Sequence, residues 1–147
     1  MLVEYARNVI GVEEAEHAET SPDADRLVVT PLSCSLVGQQ HRVRILPGTR
    51  AAALYGRDEA VERYYCNYGL NPEYRPALEG SGVRVSAEDE NGEVRIVELD
   101  GHPFFLGTLF LPQMTSSEDA PHPLLVGLAG ALRATAPGGA SPASSGP

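Results

Sequence analysis

The feature that most constrains the fold is a hairpin signal in the second half of the chain. Two apolar stretches, 83–87 and 94–99, flank the turn sequence Asp89-Glu90-Asn91-Gly92. Asn-Gly readily adopts the positive φ angles of the tight turns whose twist matches that of the flanking strands. We therefore predict two paired antiparallel strands at this point in the chain.

Further elements are predicted on both sides of the hairpin. Apolar residues of the first ten positions recur at helical spacing, and Gly11 is a fitting stop, so residues 1–10 are predicted as a helix. Asn71 followed by Pro72 predicts a helix N-cap with proline at the first position. The remaining assignments are an apolar run at 27–32, strands at 41–46, 59–68 and 104–110, and helices at 49–55, 72–78 and 123–133. The Ala/Pro/Gly/Ser-rich segment 135–147 is predicted to be a disordered tail, because it cannot bury enough apolar area to offset chain entropy.

Composition excludes several classes of function. The net charge is −9, the pI is near 4.8, and the eleven basic residues are all arginines scattered along the chain. Nucleic-acid binding needs a basic patch, so no nucleic-acid partner is expected. No apolar run approaches the roughly 20 residues of a spanning helix, and no leader signal opens the chain. We therefore expect a soluble, cytoplasmic protein with no membrane partner.

Cysteine and histidine spacing predicts neither a disulfide framework nor a metal site. The two cysteines, Cys34 and Cys66, form no Cys-x-x-Cys pair and share no ligand spacing with the four histidines. No cofactor is predicted either. One interpretation is that both thiols are buried and pack as small hydrophobic groups. The alternative is that Cys66 is a redox or nucleophilic group, although the tyrosines around it supply no cation to lower the thiol pKa.

The segment Gly101–Gln113, read as GHPFFLGTLFLPQ, carries a family resemblance. It resembles the near-C-terminal strand of the glutamine amidotransferase domain of CTP synthases, where a Phe-His-Pro-Glu sequence supplies the His and Glu of a Cys-His-Glu triad. The variants YYCNYG at 64–69 and LSCSL at 32–36 are more similar to a small offshoot, the CTP synthase C-terminal region-related (seleno)proteins. Other matching segments follow in family order: residues 4–9, 18–20, 61–71, 82–86, 94–99 and 122–124.

This resemblance implies an α/β fold of the class I glutamine amidotransferase type, a flavodoxin-like three-layer domain with a central mixed sheet. It implies that residues 1–134 form the C-terminal half of such a domain, with the N-terminal strands and nucleophile elbow lying upstream of Met1. We expect that the start is assigned to an internal methionine, because residues 1–5 read as helix interior; the alternative is a short gene product. An incomplete sheet would expose apolar faces, which predicts marginal stability or a homo-oligomer.

The resemblance also assigns site residues. Leu111 and Gln113 occupy the positions of the triad His and Glu, so no intact catalytic set is expected. Glu19 falls on the carboxylate that holds the substrate α-amino group, Asn67 replaces an arginine that contacts glutamine, and Tyr68 is retained. The structural alternatives are a solvated acid for Glu19 and core packing for Tyr68. The implied ligand is glutamine or a related small molecule.

Three functional interpretations stay open. The first is a glutamine amidotransferase-like protein, related by descent to pyrimidine nucleotide biosynthesis, that does not hydrolyse glutamine in this form because the nucleophile Cys, the His and the Glu are absent. The leucine in place of the His has no lone pair to accept a thiol proton. The second is a non-catalytic ligand-binding or regulatory module in which Glu19 recognises an amino group. The third is a thiol-dependent enzyme using Cys66. CTP formation by these 147 residues alone is not expected, because nothing in them resembles a synthetase domain.

Overall fold

The computed structural model describes residues 1–135, in which strands and helices are interleaved. The strands are β1 (Glu16–His17), β2 (Leu27–Pro31), β3 (Gln40–Ile45), β4 (Glu59–Arg63), β5 (Tyr68–Leu70), β6 (Val83–Glu88), β7 (Val94–Leu99) and β8 (Leu106–Thr108). The α-helices are α1 (Leu2–Tyr5), α2 (Arg50–Tyr55), α3 (Arg75–Glu79) and α4 (Pro123–Thr135). A π-helical turn, Ala6–Ile10, continues α1, and 3-10 turns cover Pro72–Tyr74 and Pro112–Met114.

The strands form two sheets. The larger is antiparallel with the order β4-β3-β6-β7-β8, and the smaller is mixed, with β1 parallel and β5 antiparallel to the central β2. The predicted hairpin is present as β6 and β7, which pair Val83 with Leu99 and Val85 with Val97. Gly92 in its turn has a φ of 79°. The α/β class is confirmed, and the mixed sheet is the smaller of the two.

The strand predicted over 59–68 is interrupted. β4 ends at Arg63, Tyr64 makes an isolated bridge to Phe110, and the chain re-enters a strand only at Tyr68, in the other sheet. Residues 64–67 form a crossing segment between the two sheets, and backbone carbonyls within it accept hydrogen bonds from N–H groups of the loop after β2. Leu32 N–H donates to Asn67 O at 2.8 Å, and Gly38 N–H donates to Tyr64 O at 3.0 Å. These carbonyls of the crossing segment are therefore hydrogen-bonded although the segment is not paired continuously with a neighbouring strand.

Other boundaries differ by a few residues. The strand predicted over 104–110 is regular only as β8, since Phe104 is turned away from the ladder by a hydrogen bond from its N–H to His102 Nδ1. Asn71 is the predicted N-cap, and its Oδ1 accepts the N–H of Glu73 at 3.1 Å. Thr135, the first residue of the predicted tail, is the last residue of α4, and 136–147 lie outside the described residues.

The main core lies between the larger sheet and the pair α2 and α4. Its largest fully buried members are Tyr64, Phe110 and Ile96, and Leu124 anchors α4 to it. Smaller clusters attach α1 to β2 and α3 to the hairpin. Beyond Leu124, α4 is largely uncovered: Val126 and Leu132 are 52% and 62% exposed. Association into a homo-oligomer stays a prediction.

Candidate functional site

A cleft of about 270 Å³ lies where α1, β5, β7 and β8 meet. Its wall is mainly apolar, with Leu2, Val3, Val29, Leu70, Val97 and Leu109 among the lining residues. Polar groups enter it from five places in the chain: His17, Cys66, Tyr68, Arg95 and Thr108. A concave, mostly apolar site with a few polar groups is the usual form of a small-molecule site.

Two glycines of the cleft lining, Gly69 and Gly107, pack closely against neighbouring side chains. A Cβ at Gly69 would lie 2.6 Å from Leu32 Cδ2, and one at Gly107 would lie 3.2 Å from both Met1 Sδ and Val97 Cγ2. Ordinary carbon contacts are about 3.5–4.0 Å. A side chain at Gly107 would therefore displace Met1 and Val97, which line the cleft, and one at Gly69 would displace Leu32, which does not.

Cys66 and Tyr68 both line the cleft and are linked to each other. The Cys66 thiol donates to Tyr68 O at 3.2 Å and accepts the Tyr68 N–H at 3.4 Å. Both hydrogen bonds are local and hold the start of β5. Cys34 is exposed and Cys66 is half-buried, so the interpretation as two buried thiols is wrong for Cys34.

His17 connects the cleft to Glu19. The rings of His17 and Tyr68 have centroids 5.0 Å apart, and His17 Nδ1 accepts the Glu19 backbone N–H at 3.0 Å. The neutral ring therefore carries its proton on Nε2. The Glu19 carboxylate itself is exposed and does not line the cleft.

The other predicted site residues lie apart from the cleft lining. Leu111 is half-buried, and its N–H donates to Arg63 O at 3.1 Å. Gln113 is exposed within the Pro112–Met114 turn, and Asn67 is exposed in the crossing segment before β5. The structure thus brings Cys66 and Tyr68 together in the cleft, but not Glu19, Asn67, Leu111 or Gln113.

Sequence reasoning missed His17, Arg95 and Thr108. They come from β1, β7 and β8, which are far apart in the chain and share no motif. Only Arg95 could have been singled out from the sequence, because it is a charged residue in a strand that is otherwise mostly apolar. A charged side chain at such a position is rarely buried without a partner.

Arg95 is the most deeply buried charge at the cleft. Its side chain is 4% exposed, and its Nη2 donates to Asp89 Oδ2 and Glu93 Oε2, each at 2.7 Å. Its Cζ lies 5.7 Å from the centre of the Tyr64 ring. Burial alone would raise the pKa of Asp89, but the Glu93 N–H and the Arg95 guanidinium more than offset this, and the pKa falls below its ordinary value.

A second buried polar cluster lies within the main core. Tyr55 donates its hydroxyl proton to Glu62 Oε1 at 2.6 Å, and His122 Nε2 lies 3.1 Å from the same oxygen. His122 Nδ1 accepts the Leu124 N–H at 3.2 Å, so Nε2 carries the proton and donates to Glu62. Burial, followed by the hydrogen bond to Glu62, raises the pKa of Tyr55 far above its ordinary value.

Neither a metal centre nor a membrane span is seen in residues 1–135. No group of three or more His, Cys, Asp or Glu side chains is placed to hold a metal ion within that range. None of the helices described there combines the length and the apolar character needed to cross a membrane.

Comparison with curated proteins gives consistent relatives. No family model matches the chain. CTP synthase of Sulfurisphaera tokodaii is 37% identical over 145 residues, which cover 92% of this chain and 27% of that protein. CTP synthase of Carboxydothermus hydrogenoformans is 36% identical over 133 residues, covering 84% of this chain and 25% of that protein. The chain thus spans about a quarter of the length of the curated relatives it matches.

Solved structures give the fold class. The glutaminase domain of Trypanosoma brucei CTP synthase with bound acivicin matches with a TM-score of 0.82 and 26% identity, over 90% of this chain and 56% of that chain. A putative GMP synthase subunit from Thermoplasma acidophilum matches in fold alone, with a TM-score of 0.54 and 12% identity over 72% of this chain and 48% of that one.

The fold therefore defines an α/β domain of the glutamine amidotransferase type, with flavodoxin-like character. Within that class, the chain belongs to the family of the C-terminal glutamine amidotransferase domain of CTP synthase. Because the two curated relatives described above are both CTP synthases, the particular similarity to the smaller offshoot stays a prediction.

Proposed function

We propose that this chain is a glutamine amidotransferase-like domain that recognises glutamine or a related small molecule without hydrolysing it. The observation that carries the proposal is the sequence Leu111-Pro112-Gln113 directly after the buried Phe110. The family resemblance aligns Leu111 and Gln113 with the catalytic His and Glu.

The chemistry of these two side chains supports the absence of hydrolysis. Leucine has no lone pair, so it cannot accept a thiol proton or return it to a leaving amine. A neutral glutamine amide orients and stabilises an imidazolium poorly. Members of a catalytic triad act as a unit, and loss of the base alone costs on the order of 10⁴-fold or more in rate.

The cleft supports recognition of a small molecule. At about 270 Å³ it is close to the lower end of the range for small-molecule sites. Its mainly apolar wall includes the Cys66 thiol and the Thr108 hydroxyl, which donate their hydrogens to Tyr68 O and Phe110 O and so face a ligand as acceptors. The Glu19 carboxylate lies outside this wall but follows the cleft residue His17 closely, so a ligand amine reaching Glu19 would extend from the cleft toward β1.

A ligand-dependent stability measurement tests the proposal. The thermal midpoint of the full chain should rise with glutamine concentration, and the glutamine should be recovered intact after incubation. At 100 times Kd, binding adds about 2.7 kcal/mol to the free energy of unfolding. Absence of any shift up to tens of millimolar, or loss of glutamine to glutamate, would count against the proposal.

Two substitutions locate the binding. Glu19→Gln removes the carboxylate proposed to hold the ligand amine and should reduce the glutamine-dependent shift. Glu14→Gln is the matched control, because Glu14 is also an exposed acid in the same segment. Equal reduction by both changes would indicate a general charge effect and no role for Glu19.

Thiol chemistry at Cys66 is the second candidate function. One observation favours it: Cys66 is a nucleophilic side chain that lines the cleft. Any activity found for the chain should then disappear in Cys66→Ser and persist in Cys34→Ser, which changes the exposed cysteine. An activity that survives Cys66→Ser would eliminate this candidate.

A further inference from the structure

Arg95 has more hydrogen-bond donors than partners. Of its three guanidinium nitrogens, only Nη2 meets acceptors, the carboxylates of Asp89 and Glu93. Nε and Nη1 are buried and have no hydrogen-bond partner in the part of the chain that the structure describes. Donors that have left water without finding an acceptor are unfavourable, so these two nitrogens favour a ligand that supplies an oxygen.

The positive charge of Arg95 is compensated by the carboxylates of Asp89 and Glu93, although its Nε and Nη1 have no hydrogen-bond acceptor among the residues that the structure describes. Two carboxylates already bind one guanidinium, so the local sum of these three charges is negative. A ligand carboxylate placed at Arg95 would be repelled at short range by Asp89 and Glu93. A neutral carbonyl oxygen accepts the same hydrogen bonds without adding a third negative charge.

Arg95 borders two cavities, and they differ in character. The cleft described above is mainly apolar around Arg95. The second cavity, about 240 Å³, has three acidic side chains in its lining, Asp89, Glu90 and Glu93, together with Arg42 and both polar and apolar residues. A small molecule with an apolar body and one neutral acceptor therefore matches the cleft, whose lining holds no carboxylate in residues 1–135, better than the second cavity.

We propose that the cleft binds a small molecule through a neutral amide or carbonyl group, whose oxygen accepts hydrogen bonds from Arg95 Nε and Nη1. This inference rests on the proposed function, because it names the chemical group by which the unhydrolysed ligand is held. Both nitrogens are covered in the ligand-free chain, so binding includes movement of a side chain in the cleft wall.

A pair of matched probes tests the inference on the wild-type chain. Butyramide and butyrate have the same length and apolar body and differ in whether the head group is neutral or anionic. Titration followed by backbone NMR should show butyramide binding about tenfold more tightly or better, because butyrate can accept the same hydrogen bonds but would bring a third carboxylate close to Asp89 and Glu93. The shifted amides should include residues of β7 and β8. Equal binding of the two probes, or a preference for butyrate, would overturn the inference.

A variant then assigns the preference to Arg95. Arg95→Lys keeps the positive charge beside Asp89 and Glu93 but reduces three donor nitrogens to one. Arg84→Lys is the control, because Arg84 lies on the neighbouring β6, is exposed and pairs with Asp100. The preference for butyramide should fall at least fivefold in Arg95→Lys and persist in Arg84→Lys. An unchanged preference in a folded Arg95→Lys chain would exclude the Arg95 contact, and if that variant does not fold, the wild-type preference decides alone.

Glutamine titrations separate this inference from the proposed function. A butyramide preference without glutamine binding would support the Arg95 site and remove glutamine as its ligand. Glutamine binding of equal strength in wild type and Arg95→Lys would support the proposed function and overturn the Arg95 site.

Discussion

At the scale of single residues, the best-defined unit is the buried cluster of Tyr55, Glu62 and His122. These side chains come from α2, β4 and the residue before α4, and their exposed fractions are 8%, 2% and 5%. Glu62 accepts from both partners, so it is the residue through which three elements are joined. A buried carboxylate is tolerated only when its acceptor sites are occupied in this way.

Replacing Glu62 should therefore destabilise the fold. Glu62→Gln keeps one acceptor oxygen but puts an NH2 group in place of Oε2, which lies 3.2 Å from the His122 Nε2 donor. The change should lower the free energy of unfolding by about 1–3 kcal/mol. Glu59→Gln is the control on the same strand, because Glu59 makes an exposed ion pair with Arg42 and should change stability by about 0.5 kcal/mol or less. Urea denaturation measures both. Similar effects of the two changes would contradict the role of Glu62.

The buried tyrosines predict a loss of stability in alkali. Burial raises the pKa of both Tyr55 and Tyr64 above the ordinary value of 10.0. At Tyr64 the charge of Arg95 opposes this rise in pKa but does not cancel it. Below pH 10 both phenols are protonated in the folded and unfolded states, and their contribution is complete. Above pH 10 only the unfolded state releases these protons, so stability falls by about 1.4 kcal/mol per pH unit for each tyrosine.

Denaturation at several pH values above 10 measures this slope. The two tyrosines contribute equally to this slope, so Tyr55→Phe should remove about half of their joint contribution. A slope that is identical in wild type and Tyr55→Phe would contradict the assignment.

At the scale of elements, α4 approaches α2 closely at one glycine. A Cβ at Gly127 would lie 2.6 Å from Leu54 Cδ2 and 3.1 Å from Phe104 Cε2, whereas one at Gly130 would meet nothing within 4 Å. Both glycines lie within α4. They therefore separate the effect of helix propensity from the effect of packing.

Alanine at the two positions should change stability in different directions. Gly130→Ala should raise the free energy of unfolding by about 0.5–1 kcal/mol, because alanine is the better helix former. Gly127→Ala should lower it by about 1–2 kcal/mol, because overpacking against Leu54 and Phe104 outweighs that gain. Thermal unfolding by circular dichroism measures both. Equal stabilisation by the two changes would show that the α2–α4 contact adapts freely.

Elements with a local signal were predictable from the sequence. The Asn91-Gly92 turn, the Asn71 cap and the apolar spacing of the first helix each depend on neighbouring residues, and each is found in the structure. The break after Arg63 was not predictable. It depends on the loop at 32–38, whose N–H groups take the carbonyls of the crossing segment from about 30 residues away in sequence.

At the scale of the whole molecule, the fold was predictable by resemblance and the cleft was not. Matching segments in family order gave the glutamine amidotransferase type, which the structural relatives confirm. The cleft is built by tertiary contacts among α1, β1, β5, β7 and β8, and the polar residues that line it share no spacing in the sequence. Arg95 illustrates the difference, since its burial and its unpaired nitrogens become visible only in three dimensions.

The central proposal is that the domain binds a small molecule and does not hydrolyse glutamine. The most direct test is ammonia release from glutamine by the purified chain, measured with a coupled glutamate dehydrogenase assay against a Leu111→Ala variant. We predict no release above the buffer background for either protein. Steady release by the wild type that is abolished in Leu111→Ala would contradict the claim.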